Sequence, residues 1–294
     1  MKINIPTLND SRADFDFLFD IWQQTNDYHL EVQFDFSHCD FLRPNAVVFL
    51  GGLARLIQSR FGSVVFNWNS LTNDWVRTNL MQNGFAGQFG YPSSGWSGNS
   101  IPYREDRIMD ANGIMDYLTD YWIGRGWVNV SQRLRDAIVG RMWEIYNNAF
   151  EHADSPVGVF SCGQHFPHRN ELILSVIDFG HGIAANIRNY VSQDPRSSQL
   201  KASQCLRWAF QPGTTTWPNG MARGMGLDLL KKFIQINHGK LEVYSNEGYV
   251  LIDANGENYQ DHQSFFEGTI FHITLICDES YYQFADEAES NLLI

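Results

Sequence analysis

The chain has 294 residues, of which 44% are hydrophobic and 18% are charged, so we expect packed cores and enough length for two domains. Its formal net charge of −12, without runs of Lys or Arg, argues against broad binding to nucleic acid or to anionic membranes. The four cysteines form no zinc-type cluster, the N-terminus lacks a signal-like apolar stretch, and no segment approaches the ~18 apolar residues of a membrane span, which predicts a cytoplasmic protein.

Residues 1–90 alternate between strand-like and helix-like patterns. The predicted strands are 2–5, 31–36 and 63–68, and the predicted helices are 12–24, 44–60 and 73–83. Pro44 stands in the first turn of the second helix, where proline is favoured, and Gly84 follows the third helix as a stop signal. Repeated strand–helix units predict a sheet backed by helices.

A stretch rich in Ser, Gly and Pro at 91–102 is the predicted linker to a second domain at 103–277, and an acidic tail covers 278–294. The predicted helices of the second domain are 112–122, 132–153 (after Ser131 as its N-cap) and 227–237. Its predicted strands are 157–162, 171–177, 241–245, 250–254 and 269–276. The sequence therefore predicts an α/β (α+β) protein with two successive domains.

Glu144 and Asn148 are four residues apart on a predicted helix, so both side chains lie on one face. A Mg²⁺ ion that bridges phosphates needs few protein ligands, and an amide oxygen suits it. A carboxylate one turn earlier can reach a water or a hydroxyl near the terminal phosphate. Taken alone, such a pair is more typical of a solvated helix face.

Asp178 follows a predicted strand and precedes Gly180, Gly182 and Ile183. A carboxylate at a strand end can accept a hydrogen bond from the amino group of a base, and glycines let the backbone turn closely against that base. An ordinary Asx turn fits the same residues equally well.

A glycine-rich stretch before the last predicted helix provides a candidate phosphate site. Its candidate ligands are Thr214, Thr215, Thr216, Arg223, Gly224, Met225, Gly226 and Leu227. Glycines expose backbone N–H groups, and a helix that begins near Leu227 would direct its N-terminus at an anion. Gly268 and Thr269 form the last candidate segment, at the start of the final predicted strand.

These four segments, in this order, resemble the GHKL superfamily, whose Bergerat-type ATP fold is shared by gyrase B, MutL, sensor histidine kinases and anti-sigma-factor kinases. The resemblance covers about residues 111–276 and is most specific over 227–245. It implies a two-layer α/β domain that binds ATP and Mg²⁺. In such a domain Asp178 reads adenine with support from Thr269, Asn148 ligates Mg²⁺, Glu144 is the catalytic base, and the glycine-rich stretch is the ATP lid.

The first 90 residues resemble a second family, the STAS domains of anti-anti-sigma factors. The resemblance lies in the order of strand, Asp40, helix, strand and helix along the chain. STAS domains usually carry a regulatory Ser in a turn at the helix start. Here that turn is Arg43, Pro44, Asn45 and Ala46, which offers no hydroxyl for phosphorylation.

The combined resemblance implies a cytosolic regulatory protein that hydrolyses ATP or phosphorylates a Ser or Thr of a partner protein. The alternative is an ATP-gated interaction switch with little or no turnover, which would bind its regulatory or effector partner through the STAS-like domain. No transducer domain and no phosphoacceptor His motif is recognised in the sequence, which disfavours gyrase-type and sensor-kinase activities. His152 and His181 are expected to have structural roles, and a homodimer is left open.

Overall fold

A computed structural model describes residues 1–92, 96–211, 213–214 and 227–291. The N-terminal elements are β1 (Lys2–Leu8), α1 (Arg12–Gln24), β2 (Glu31–Leu42), α2 (Pro44–Ser59), β3 (Ser63–Asn67), α3 (Asp74–Gln82) and α4 (Phe85–Gln88). The three strands form a parallel sheet in the order β1-β2-β3. This confirms the predicted sheet backed by helices, and β2 extends well beyond the predicted strand at 31–36.

A second region follows and contains a five-stranded antiparallel sheet. Its elements are β4 (Ser100–Asp106), α5 (Ala111–Tyr117), β5 (Asn129–Val130), α6 (Gln132–His152), β6 (Val159–Phe166), β7 (Glu171–Asp178), α7 (Ile183–Tyr190), α8 (Ala202–Ala209), α9 (Asp228–Ile236), β8 (Lys240–Asp253), β9 (Gly256–Ile276), β10 (Tyr281–Tyr282) and α10 (Ala285–Asn291). The strand order is β4-β6-β7-β9-β8. The edge strand β4, which begins inside the predicted linker, was not predicted, and neither were α7 and α8.

The hairpin of β8 and β9 also differs from the sequence prediction. The strands predicted at 241–245 and 250–254 are one continuous strand, β8, and the strand predicted at 269–276 is only the last part of β9. The pairing shifts register around Asn246 and Gly248. Such irregularities bend a strand and interrupt its alternation of apolar and polar residues, so the sequence pattern breaks where the strand does not.

Helix α2 lies between the two sheets and contacts β3 on one side and β6 and β7 on the other, and α1 packs beside it against β9. In α2, 13 of the 16 residues are buried, because this helix has a sheet on each side. One hydrophobic cluster therefore joins the N-terminal region to the second sheet and includes Phe49, Phe160, Phe179 and Phe266. The predicted boundary at residue 90 does not correspond to a break in this core.

The opposite face of the five-stranded sheet packs against α5, α6 and α9. Strand β7 shows how the two faces alternate, since successive side chains of a strand point in opposite directions. Leu172, Leu174 and Val176 belong to the cluster under these helices, whereas Ile177 and Phe179 belong to the cluster shared with α1 and α2.

Residues of the acidic tail that the structure describes fold against the beginning of α6. Strand β10 pairs with β5, and the Ser131 hydroxyl donates to Glu287 Oε2 at 2.8 Å. Arg133 forms an ion pair with Asp286 of α10. Within the described residues, none of the helices has the length and apolar character needed to cross a membrane.

Candidate functional site

A cleft open to solvent lies where α6, α7 and α8 meet one end of the five-stranded sheet. Small-molecule and cofactor sites are mostly apolar, with a few polar groups that orient the ligand. The apolar lining includes Ile145, Val159, Val176, Ile183, Ile187 and Phe271. The polar lining includes Asn148, His152, Asp178, Asn186, Thr214 and Thr269. The cleft therefore collects residues from all four sequence segments, although Thr214 is the only described member of the glycine-rich stretch that lines it.

Helix α6 contributes one wall of the cleft. It begins after Ser131, whose hydroxyl accepts the Leu134 N–H at 3.1 Å as an N-cap. Ile145, Asn148 and His152 line the cleft at steps of three and four residues, so they share one helix face. Partial burial lowers the pKa of His152.

Glu144 does not line the cleft, although the sequence pairs it with Asn148. It lies one turn before Asn148 on α6, half-buried, and its Oε1 accepts a hydrogen bond from Arg141 Nη1 at 2.5 Å. The cleft therefore contains the predicted metal ligand but not the predicted base.

Asp178 is the buried carboxylate of the cleft and is 5% exposed. Its Oδ1 accepts the Gly180 N–H at 2.9 Å. Burial raises the pKa of Asp178 to about 7, even though hydrogen bonds from the backbone amides of Gly180 and Thr269 act to lower it. A buried carboxylate lowers the stability of the folded protein when it is ionised. Carboxylates in clefts whose pKa is strongly shifted are therefore candidates for functional groups.

The turn after Asp178 requires its two glycines because of close contacts with neighbouring elements. A Cβ at Gly180 would lie 1.9 Å from the carbonyl oxygen of Ala153, at the end of α6. Gly182 has a φ of +80°, and a Cβ there would lie 2.6 Å from Asn246 Oδ1. The turn is therefore closely packed against both α6 and β8.

Two side chains of β8 hold this turn, and sequence reasoning did not identify them. The Ser245 hydroxyl accepts the Ile183 N–H at 2.7 Å and lies 3.0 Å from the Thr269 hydroxyl. Asn246 accepts the Ala185 N–H at 3.0 Å and donates to the His181 carbonyl at 2.9 Å. A Ser-Asn pair at the end of a predicted strand was the only signal in the sequence.

The predicted ligands in the glycine-rich stretch fall into two groups. Thr215, Thr216, Arg223, Gly224, Met225 and Gly226 lie outside the described residues. Thr214 lines the cleft, and its hydroxyl donates to the carbonyls of Trp208 and Gln211 at 3.0 and 2.9 Å. Leu227 is buried next to the first residue of α9 and does not line the cleft.

Helices α7 and α8, which were not predicted, add further lining residues. Asn186 donates to the His152 carbonyl at 2.7 Å and so ties α7 to the end of α6. Trp208 and Ala209 close the cleft from the side of α8. The sequence singled out none of these residues because neither helix carries a recognised motif.

The lining of the cleft is compatible with a flat base and, among the described residues, offers few groups that could hold a metal ion. A buried carboxylate acceptor within apolar walls suits a flat base that carries an amino group. Within the described ranges, no group of three or more His, Cys, Asp and Glu side chains is placed to hold a metal ion. Asn148 alone would add one amide oxygen, so a Mg²⁺ ion at this site would need ligands from the nucleotide and from water.

A Ser–His–Asp series elsewhere in the molecule is a second candidate for chemistry. Ser175 Oγ lies 2.8 Å from His272 Nδ1, and His272 Nε2 lies 3.4 Å from Asp10 Oδ2. Burial acts to raise the pKa of Asp10, but His272, Lys240 and Arg43 together lower it well below its usual range. Ser175 and His272 have no exposed surface, so this series is enclosed between the sheets and no substrate reaches its hydroxyl.

Comparisons with known proteins do not add a family to this description. The chain matches no protein-family model, and no curated protein matches it. The functional argument therefore depends on the sequence segments and on the geometry of the cleft.

Proposed function

We propose that the chain binds Mg-ATP in the cleft between α6 and the five-stranded sheet, and that residues 103–277 form a Bergerat-type domain of the GHKL kind. The observation that carries this proposal is the buried carboxylate of Asp178 in an apolar cleft, just before a turn that requires glycine at positions 180 and 182. Thr269 and Asn148 line the same cleft, as the resemblance implies. The five-stranded antiparallel sheet with α5, α6 and α9 packed on one face is compatible with such a domain.

Each cleft residue has a defined task in this proposal. The ionised Asp178 accepts a hydrogen bond from the amino group of adenine. The Thr269 hydroxyl contacts Ser245, which in turn holds the backbone N–H of Ile183. Asn148 faces the phosphates from α6 and supplies an oxygen to the ion that accompanies them. Ile145 and Val176 exclude water from the base, which strengthens the hydrogen bond to the carboxylate.

We propose that the bound ATP is hydrolysed or donates its terminal phosphate to a Ser or Thr of a partner protein in a cytosolic regulatory system. Glu144 is the candidate base, because it lies one turn before Asn148 on α6. For this role its carboxylate must leave Arg141 and approach the terminal phosphate.

The pairing of Glu144 with Arg141 also favours a second candidate function, an ATP-gated interaction switch with little or no turnover. In that function the nucleotide changes which surface the protein presents to its partner, as in other order–disorder switches. Turnover by the purified chain decides between the two functions.

The N-terminal region resembles a STAS domain, and we propose that it contributes to partner binding. The start of α2, where a STAS domain carries its regulatory Ser, is closed here. Arg43 is 1% exposed and bonds to Asp10 at 2.9 Å and Glu171 at 3.1 Å, and Asn45 is fully buried. The turn is also far from the cleft, because its partner Glu171 and the cleft residue Asp178 stand at opposite ends of β7, about 23 Å apart at ~3.3 Å per residue. A partner therefore binds elsewhere on the N-terminal region, and the turn itself is not the phosphate acceptor.

The test is to incubate the purified chain with Mg²⁺ and γ-labelled ATP and to measure bound nucleotide, released phosphate and labelled protein. We expect Asp178→Asn to weaken ATP binding strongly and Glu144→Gln to bind ATP without turnover. Asp154→Asn is the matched control, because its side chain is 88% exposed close to the same turn. Wild-type protein that binds no ATP would refute the proposal, and binding without turnover would favour the switch.

A further inference from the structure

Phe179, the residue after Asp178, points away from the cleft and into the core shared with the N-terminal region. Its side chain is buried, and its ring packs edge-on against Phe49 of α2, with centroids 5.6 Å apart. Phe266 of β9 packs against it in a similar way at 5.4 Å. Because Phe179 and Asp178 are consecutive, a displaced ring would displace the carboxylate as well.

The place of the Phe179 ring depends on a glycine of α2. A Cβ at Gly52 would lie 2.3 Å from Phe179 Cε2 and 2.9 Å from Phe160 Cδ2, both closer than real contacts allow. Helix α2 therefore approaches β7 this closely because residue 52 has no side chain.

The turn cannot absorb a displacement of Phe179 from the opposite side. Gly180 is already in close contact with the Ala153 carbonyl of α6, and its N–H is bonded to Asp178 Oδ1. A push from α2 is consequently transmitted to the hydrogen-bonded turn and to the carboxylate rather than dissipated in free space.

We propose that Phe179 is a positioning residue for Asp178 and that α2 fixes its place, so that the N-terminal region completes the nucleotide site. This inference rests on the proposed function for its consequence in ATP binding. Its structural core, the link from α2 to the Asp178 turn, is measurable without nucleotide. It assigns the N-terminal region a part in base recognition, exerted through Phe179, besides partner binding.

Gly51 and Gly52 offer a matched pair of variants for the test. A Cβ at Gly51 would lie 2.1 Å from the Tyr103 hydroxyl on β4, which β6 separates from β7. Gly51→Ala and Gly52→Ala add the same methyl group to the same helix and the same core, but only Gly52→Ala displaces Phe179. Both full-length variants are compared with wild type in amide hydrogen exchange at Gly180 and in affinity for ATP and GTP.

We expect Gly52→Ala to speed exchange at Gly180 and to weaken ATP binding about tenfold or more, because small misplacements in a site have large effects. The preference for ATP over GTP should fall as well, since Asp178 reads the amino group of adenine. Gly51→Ala should leave the Gly180 exchange rate and the ATP preference near wild type. A general loss of stability would affect both variants alike and would not change the preference.

A second-site variant keeps the test informative if Gly52→Ala folds poorly. Phe179→Leu alone should weaken ATP binding, and Gly52→Ala combined with Phe179→Leu should recover part of the lost affinity, because the smaller side chain makes room for the methyl group. Equal effects of Gly51→Ala and Gly52→Ala, or no rescue in the double variant, would overturn the inference. If wild type binds no ATP while Gly180 exchange responds only to Gly52→Ala, the proposed function fails and the structural link stands.

Discussion

The two faces of the five-stranded sheet are built from the same strands but are completed differently. The face towards α1 and α2 is closed, with packed aromatic rings at one end and the charged series of Asp10, Arg43 and His272 at the other. The face towards α6 is closed by apolar packing over most of its length and opens into the cleft beside Asp178.

The two faces differ in how their buried carboxylates are compensated. On the closed face the carboxylates of Asp10 and Glu171 both pair with the buried cation of Arg43. On the open face, within the part of the chain that the structure describes, the carboxylate of Asp178 accepts from backbone amides and has no cationic partner, and burial raises its pKa. An incompletely compensated acceptor of this kind suits a ligand that brings its own donor.

The largest change in the free energy of unfolding should come from breaking the Arg43 ion pairs on the closed face. Arg43→Ala leaves Asp10 and Glu171 without their buried partner, and we expect a loss of about 3–5 kcal/mol in the free energy of unfolding. Arg133→Ala removes an exposed ion pair with Asp286, which solvent screens, and should leave the free energy of unfolding nearly unchanged. Denaturant unfolding measures both values, and similar losses would show that the buried network has no special weight.

The next effect concerns the stability of the open face. Asp178→Asn removes a carboxyl whose pKa is about 7 in the folded protein, against 3.8 for an exposed Asp. Below pH 4 the carboxyl is protonated in both the folded and the unfolded protein, so the variant gains nothing. Between pH 4 and pH 7 the unfolded chain releases the proton while the folded protein keeps it, so wild type progressively loses stability. Above pH 7 the variant should be more stable by up to about 4 kcal/mol at ~1.4 kcal/mol per pKa unit. Unfolding at pH 4 and pH 8 checks this, and an equal difference at both values would contradict it.

The same substitution should weaken ATP binding about hundredfold, since a site built around one hydrogen bond rejects a mismatched partner strongly. In Asp178→Asn the single acceptor oxygen is engaged by the Gly180 N–H, and the NH2 group that replaces the other oxygen cannot accept from the adenine amino group, so GTP should lose less affinity than ATP. Calorimetric titration with both nucleotides measures the change, and an unaltered ATP to GTP ratio would mean that Asp178 does not read the base.

The pH dependence of binding should follow the same carboxyl. The ionised form of Asp178 accepts the hydrogen bond from the adenine amino group. Affinity for ADP should therefore fall as the pH drops below about 7, with a slope that approaches tenfold per pH unit. Asp178→Asn is the control, since it retains the titration of the phosphates and lacks that of the carboxyl. A wild-type slope no steeper than that of the variant would assign the dependence to the nucleotide.

The smallest effect is expected from Trp208, which closes the cleft from α8. Trp208→Leu removes an aromatic surface over the ligand and should weaken ATP binding about fivefold, a stacking contribution of ~1 kcal/mol. Trp75→Leu is the control, because this side chain is 84% exposed on α3, remote from the cleft. Equal affinities in the two variants would remove Trp208 from the site.

Local signals were sufficient to predict the helix that carries Asn148 and the strand that ends at Asp178. The Ser131 cap, the apolar spacing of α6 and the glycines after Asp178 all act within a few residues of one another. The glycine-rich ligands remain a prediction, since most of them lie outside the described residues.

Features that depend on distant partners were not predictable. Ser245 and Asn246 act on a turn more than 60 residues earlier in the chain. Arg43 reaches Glu171 across 128 residues, and the sequence gives no measure of that pairing. The position of α2 between two sheets likewise follows from tertiary packing, because a helix that is apolar all round is compatible with several neighbours.

The burial of α2 between two sheets also determines when this protein can fold during its synthesis. The parallel sheet and its two helices are complete in sequence by Asn67, but the second surface of α2 is supplied by β6, β7 and β9, the last of which ends at Ile276. A nascent N-terminal region therefore exposes an apolar helix face until the chain up to Ile276 has left the ribosome. Folding is consequently late and dominated by contacts of long sequence separation, a regime in which chains fold slowly and depend on protection from aggregation.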